Sequence, residues 1–168
     1  MKRAAACIAT LVTLFWHADA AAADQPPPNP SVRSALRASA VPVLLPSKLP
    51  RELGNVRSVA VIGAGRGGYY VGYSPLEHCA GALACAFFHV AGFAGPARLE
   101  HSEHDRALRL SDGTRALYRP RDCSGASCSE ASLFFVCRGT LYELDAKTGA
   151  DDLRTLLGAY RNLHRLRS

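Results

Sequence analysis

Beyond residue 56 the chain breaks into short apolar runs separated by turn residues. Residues 57–62 (RSVAVI) are rich in β-branched side chains, 68–73 (GYYVGY) in aromatics, and 85–93 (CAFFHVAGF) form a third run. Such runs bounded by Gly and Ser read as strands. Residues 107–110 and 115–118 flank Ser111-Asp112-Gly113-Thr114, which predicts a hairpin around an Asp-Gly turn. Residues 133–137 and 140–144 flank Arg138-Gly139, which predicts another. The close spacing points to antiparallel pairing rather than alternating strand and helix.

The period changes near the end of the chain. Leu153, Leu156, Leu157, Tyr160 and Leu163 recur at steps of three and four, an apolar helical stripe. Thr148 with Asp151 three residues on resembles a capping box. Asp151 and Asp152 at the start, with Arg161, Arg165 and Arg167 toward the end, agree with the helix dipole. The expectation is an α+β domain: a single twisted antiparallel sheet with one C-terminal helix packed on a face.

The first residues follow a different pattern. Lys2 and Arg3 precede an uncharged apolar run over residues 4–16, and Ala18-Asp19-Ala20 with the following alanines fits a small-residue cleavage site. The run is shorter than the roughly 20 residues needed to span a bilayer. Residues 1–23 therefore read as a signal peptide, with no transmembrane segment left after cleavage. Residues 24–40, opening with DQPPPNP, read as a Pro-rich flexible linker. Residues 41–168 read as the single domain. It starts with an extended arm, VPVLLPSKLP, in which proline excludes a regular helix and Val43, Leu44 and Leu45 pack onto the sheet.

Export changes what the cysteines mean. Cys7 falls in the leader, and Cys79, Cys85, Cys123, Cys128 and Cys137 remain. Outside the cytoplasm disulfides are the default. The local closures Cys79–Cys85 and Cys123–Cys128 are expected, the second around the small loop Ser124-Gly125-Ala126-Ser127. Cys137 is left as a buried free thiol, or pairs across strands and displaces one of these bonds. The spacings differ from the C-x2-C pairs of common structural zinc sites. Net charge is +6, carried almost entirely by Arg, and loss of Lys2, Arg3 and Asp19 with the leader lowers it by one. This mild balance permits anionic partners without requiring them, and export argues against nucleic acid.

Several motifs carry candidate chemistry. Gly63-Ala64-Gly65-Arg66-Gly67-Gly68 matches GxGxxG after an apolar strand. A dinucleotide site needs a helix to start there, but Tyr69-Tyr70-Val71-Gly72-Tyr73 is β-prone, and no acidic residue stands about 20 positions on. It reads as a flexible turn, and no cofactor is expected. Glu100-His101-Ser102-Glu103-His104-Asp105 places two imidazoles three apart among carboxylates. His101 and His104 are thus the weak metal candidates, with His78 or His89 as a third ligand. His78 beside Cys79 places a base next to a thiol, but adjacent residues rarely face each other as catalysis needs, and Cys79 has an expected disulfide partner. If Tyr69, Tyr70 and Tyr73 stand on an open sheet face, they form a binding platform. The Arg-rich tail after residue 160 reads as a solvated helix end or a contact for anionic lipid.

The layout VPVLLP, GYYVGYS, C-x5-C, a DG hairpin, C-x4-C and LFFVCRGTLYEL before a final helix is similar to that of exported bacterial domains. The resemblance covers roughly residues 41–165. It implies export and an α+β fold, and it carries over no catalytic residue. The expectation is a non-enzymatic periplasmic or secreted binding or protein-interaction module, its partner an envelope protein or a glycan. The alternatives are a small cell-envelope hydrolase using His and carboxylate groups with or without a metal, and an enzyme inhibitor presenting the Cys123–Cys128 loop.

Overall fold

The computed structural model describes residues 23–24, 30–77, 85–125, 127–149 and 151–166. The predicted signal peptide falls almost wholly outside these residues. Eleven strands and two helices are defined among them. They are β1 (Ala23–Asp24), α1 (Pro30–Leu36), β2 (Leu44–Pro46), β3 (Lys48–Leu49), β4 (Ser58–Gly65), β5 (Gly68–Ser74), β6 (Phe88–Phe93), β7 (Arg106–Arg109), β8 (Arg115–Arg119), β9 (Ala131–Cys137), β10 (Thr140–Ala146), α2 (Asp152–Arg161) and β11 (Leu163–Arg165).

Local turn chemistry sets the pairing. Gly113 sits at φ 85°, and Arg138 and Gly139 at 50° and 79°, so the β7–β8 and β9–β10 hairpins close on residues in the left-handed region. The order across the main sheet is β4-β5-β6-β10-β9-β8-β7, and every neighbouring pair is antiparallel. Two meanders thus meet along the central β6–β10 pair. Smaller pairings join β2 to β11 and β1 to β3.

Alternation along each strand gives the sheet two faces. One carries Tyr69, Val71, Tyr73, Phe88, Val90, Leu133, Phe135, Tyr142 and Leu144, all buried. Helix α2 covers it over β9 and β10, with Leu156 and Ala159 fully buried, and α1 lies against β4. The proline-spaced arm closes the remainder: Val43 and Leu45 are buried, as expected, and β2 pairs with β11. Two tyrosines fix the arm. Tyr69 Oη donates to the Leu44 carbonyl at 2.8 Å and accepts from the Leu44 amide at 3.0 Å, and Tyr142 Oη donates to the Pro42 carbonyl at 2.9 Å.

The stretch assigned to the flexible linker is partly structured. Residues 30–36 form α1 and bury Val32 and Leu36, so the packed unit begins before residue 41. The C-terminal helix starts three residues later than the capping-box reading placed it. Asp151 is the N-cap, accepting from the Arg154 amide, while Thr148 donates its hydroxyl to Asp152 at 2.6 Å. The helix also ends earlier: Leu163, expected on its stripe, lies in β11, after Asn162 caps the helix.

Candidate functional site

The second face of the sheet is polar at its centre. In the registered pairing Gly72 lies opposite His89, His89 opposite Asp145, and Asp145 opposite Ser132, so one row crosses β5, β6, β10 and β9. Strand β10 is the central strand of the seven and β6 its neighbour, so both are paired on each side. Glu130 precedes β9 and reaches into the same row. Its Oε2 lies 2.9 Å from His89 Nδ1, and its Oε1 lies 2.7 Å from Lys147 Nζ. Ser132 donates to Asp145 at 2.6 Å. Tyr70 lies against the imidazole, ring centroids 5.1 Å apart.

Burial makes these groups unusual. His89 exposes none of its side chain, and Asp145 is 5% exposed. Loss of water drives the Asp145 carboxyl up to about 8, aided by the neighbouring Glu143 charge and opposed by the Ser132 hydrogen bond. Burial also raises Glu143, half-buried two residues away on the same face. Glu130 moves the other way. Its partial burial opposes ionisation, but the hydrogen bonds from His89 and Lys147 outweigh that and lower it. Burial, followed by the charge of Asp145, raises the Tyr70 phenol.

An ionised Glu130 only accepts hydrogen bonds, so the proton on that side belongs to His89 Nδ1. The other nitrogen, Nε2, is buried without a hydrogen-bond partner. In the neutral ring it is a bare acceptor, directed and tautomer-fixed by a carboxylate on the opposite nitrogen. One donor atom each from His89, Glu130 and Asp145 lie within 4.8 Å of one another. Glu130 stands on the Nδ1 side of the ring, so the partnerless Nε2 is directed away from it and is the acceptor left for a ligand.

Beside this row lies a cleft of about 360 Å³, lined by Pro96, Leu99, Arg119, Phe134 and Leu141 among others. Arg119 stacks on Phe134, 4.9 Å above the ring centroid, and is held by Asp105 through hydrogen bonds of 3.0 and 3.2 Å. The cleft thus has an apolar floor and a fixed guanidinium at its side.

The residues singled out from the sequence fall elsewhere. His101 and His104 are exposed, and His104 lies 3.4 Å from Glu103 rather than beside another candidate ligand. The metal candidates therefore do not converge: they sit on the connection before β7, not on the sheet. His78, offered as a third ligand, lies outside the described residues. His89, offered in the same place, is the one imidazole among the described residues that the fold draws into a constellation. Tyr69 and Tyr73 belong to the covered face, at 4% and 0% exposure, and serve as core. Of the proposed aromatic platform only Tyr70 remains on the polar face. The glycine motif is the β4–β5 hairpin, with Gly65 paired to Gly68 and a strand rather than a helix following.

Cys123 and Cys128 form the expected disulfide, and Cys137 is a free, half-buried thiol. Cys85 is disulfide-bonded; its expected partner Cys79 lies outside the described residues. The Cys123–Cys128 loop is exposed and tied at its base by bonds between Asp122 and Ser129 and from the Ser124 amide to Asp122. Arg165 of the tail lines a separate cleft with Arg33 and Arg37. No helix among the described residues is long and apolar enough to cross a membrane.

Sequence gave no direct signal for Glu130 or Asp145. Each stands at the edge of a predicted strand, and strand register alone brings them to His89. No protein-family model matches the chain, and no match was found among curated proteins or solved structures.

Proposed function

We propose that this chain is an exported binding module of the periplasm or extracellular space, and that its ligand surface is the polar face of the sheet. The observation that carries the reading is His89: a fully buried imidazole with one nitrogen on Glu130 and the other without a partner, on an interior strand of the main sheet. Burying His, Asp and Glu together is costly unless every polar atom finds a partner. A hydrophobic sheet face would serve stability better, so the cluster is explained by a ligand rather than by folding. The disulfides suit an oxidising compartment, as the leader-like first residues do.

Binding is favoured over hydrolysis by the same burial. A general base must touch the group it deprotonates, and a ring with no exposed surface does not reach a bulky substrate. A cation or a hydrogen-bond donor small enough to pass Tyr70 meets no such limit, and a larger ligand engages the cleft at Arg119 beside the row. Amide chemical-shift titration with a panel of monosaccharides, short carboxylates and divalent cations tests the reading. The expected result is a set of shifts confined to β6, β9, β10 and the cleft around Arg119. Shifts confined to residues 121–130, or none with any of the panel, would overturn it.

The exposed Cys123–Cys128 loop supports a second reading, an inhibitor presenting that loop to a target enzyme. Its hydrogen-bonded base and disulfide restrict the loop, as a docking loop requires. Inhibition of an envelope hydrolase, abolished by proteolytic cleavage within residues 123–128, would establish it in place of the first.

A further inference from the structure

We propose that the cleft between α1 and the β2–β11 region is a second binding site, and that it takes a phosphate group carried on a short apolar body. It stands apart from the polar row, because α1 and the arm that line it pack on the aromatic side of the sheet.

Distant stretches of sequence build the cleft. Arg33 and Arg37 come from α1 and the turn after it, Pro42 and Val43 from the arm, and Arg165 and Leu166 from β11 and the residue that follows. Arg33 and Arg37 stand one helical turn apart, a spacing that puts them on one side of the helix. The cleft holds about 770 Å³, and no Asp or Glu is among the described residues that line it.

The absence of a carboxylate is what points to an anion. Arg57, Arg119, Arg121 and Arg154 each pair with an Asp or Glu. In the cleft beside the polar row, Arg119 is thereby neutralised by Asp105. Arg37 and Arg165 line one cleft and have no ion-pair partner among the described residues. Guanidinium groups gathered in a concave site concentrate anions there. Their planar forks match the oxygens of a phosphate two at a time.

The walls are set before a ligand arrives. The Val43 carbonyl accepts from the Leu166 amide at 2.9 Å, and Tyr142 holds the Pro42 carbonyl. The Ser39 hydroxyl bonds the Val41 carbonyl, and the Ala40 amide donates to Gly65 at 2.9 Å. Leu36 and Val43 are buried, and Pro42 and Leu166 half-buried, so the cleft offers apolar surface beside its guanidiniums. That surface favours an organic phosphate over the bare ion. A lipid headgroup with its adjoining chain and a soluble phosphomonoester share this chemistry.

Isothermal titration of the full chain with hexyl phosphate tests the site. The expected result is one site per chain, with inorganic phosphate weaker and hexanol silent. Arg37→Gln and Arg165→Gln should each weaken binding at least about tenfold, as loss of a charge-assisted hydrogen bond does. Arg161→Gln removes the same charge outside the cleft and should leave binding unchanged. All three side chains are exposed, so the variants keep the fold; circular dichroism verifies this. Sedimentation with vesicles of phosphatidylcholine and phosphatidic acid separates the two sources. Capture that falls with Arg37→Gln but not with Arg161→Gln assigns the phosphate to lipid. Hexyl phosphate binding without such capture assigns it to a soluble phosphomonoester. Silence toward both probes, equal weakening by Arg161→Gln, or binding that survives both cleft variants overturns the site. None of these outcomes touches the shifts expected on β6, β9 and β10 for the polar face.

Discussion

Asp145 lies directly opposite His89 in the central β10–β6 pairing, and both are buried on a face that the helices do not cover. The pair places two titratable groups where a sheet normally packs aliphatic side chains. Its consequences extend from stability to ligand binding.

Stability should fall with rising pH between about 4 and 8. The Asp145 carboxyl is raised from its ordinary value to about 8 in the folded chain, so the folded state holds a proton there that the unfolded state releases. The folded state binds more protons in that window, and unfolding free energy drops by about 1.4 kcal/mol per pH unit for one full proton. Below pH 4 both states are protonated and the effect vanishes. Above pH 8 both are ionised and the loss is complete. Asp145→Asn should flatten the slope, and urea unfolding at pH 5 and pH 8 compares the two chains. Equal slopes would show that the proton is not held on this pair.

At acid pH the sign reverses through Asp105. Its bonds from Arg119 come first among the causes that hold it at about 2, assisted by the Ser102 amide and opposed by burial. A depressed carboxyl stabilises the fold above pH 4 and loses that contribution as pH falls toward 2. Asp105→Asn should cost about 1–3 kcal/mol at neutral pH, since it leaves a hydrogen-bonded guanidinium without its charge partner. It should also free Arg119 from the cleft wall. A drop confined to thermal stability, with unchanged Arg119 Nε–H exchange, would show that Asp105 does not position the guanidinium.

The strands of the main sheet were legible in the sequence because turn residues with a definite backbone role separated them. Asp112-Gly113 and Arg138-Gly139 announced two hairpins, and the glycine motif a third connection. Which face would be open was not legible. Tyr69 and Tyr73 alternate with Tyr70 and Gly72, and alternation assigns residues to two faces without saying which one is covered. Coverage depended on residues 30–49, part of which carried a linker-like composition. The polar row was hidden for a related reason. His89 stands between Phe88 and Val90, where it reads as one more buried strand position. Glu130 and Asp145 stand 41 and 56 residues away, and only the register of three strands unites them.

The arm should loosen when its tyrosine anchor is removed. Tyr69→Phe keeps the packed ring but loses both bonds to Leu44. These partly buried backbone groups then lose their partner, at a cost of about 1 kcal/mol. Because the Leu44 amide bonds Tyr69, its hydrogen exchange should accelerate markedly, while the amides of β6 follow only the global change. Unchanged protection at Leu44 would mean that the β2–β11 pairing holds the arm by itself.

Gly92 tests the close packing beneath the same tyrosine. A Cβ on Gly92 would lie 2.5 Å from Tyr69 Cε1 and 3.1 Å from Tyr142 Cε1. These rings carry the hydroxyls that hold Leu44 and Pro42, so neither can swing aside without releasing the arm. Gly92→Ala should therefore behave as an overpacked core variant, destabilised by about 1–3 kcal/mol. It should also expose the Leu44 amide as Tyr69→Phe does, although it removes no hydrogen-bonding group. The double variant discriminates between the routes. If Gly92→Ala acts by displacing the Tyr69 ring, combining it with Tyr69→Phe adds less than the sum of the single losses, since the bonds to Leu44 are broken only once. Strict additivity in urea unfolding would instead place the strain in the β5–β6 backbone and separate it from the anchoring of the arm.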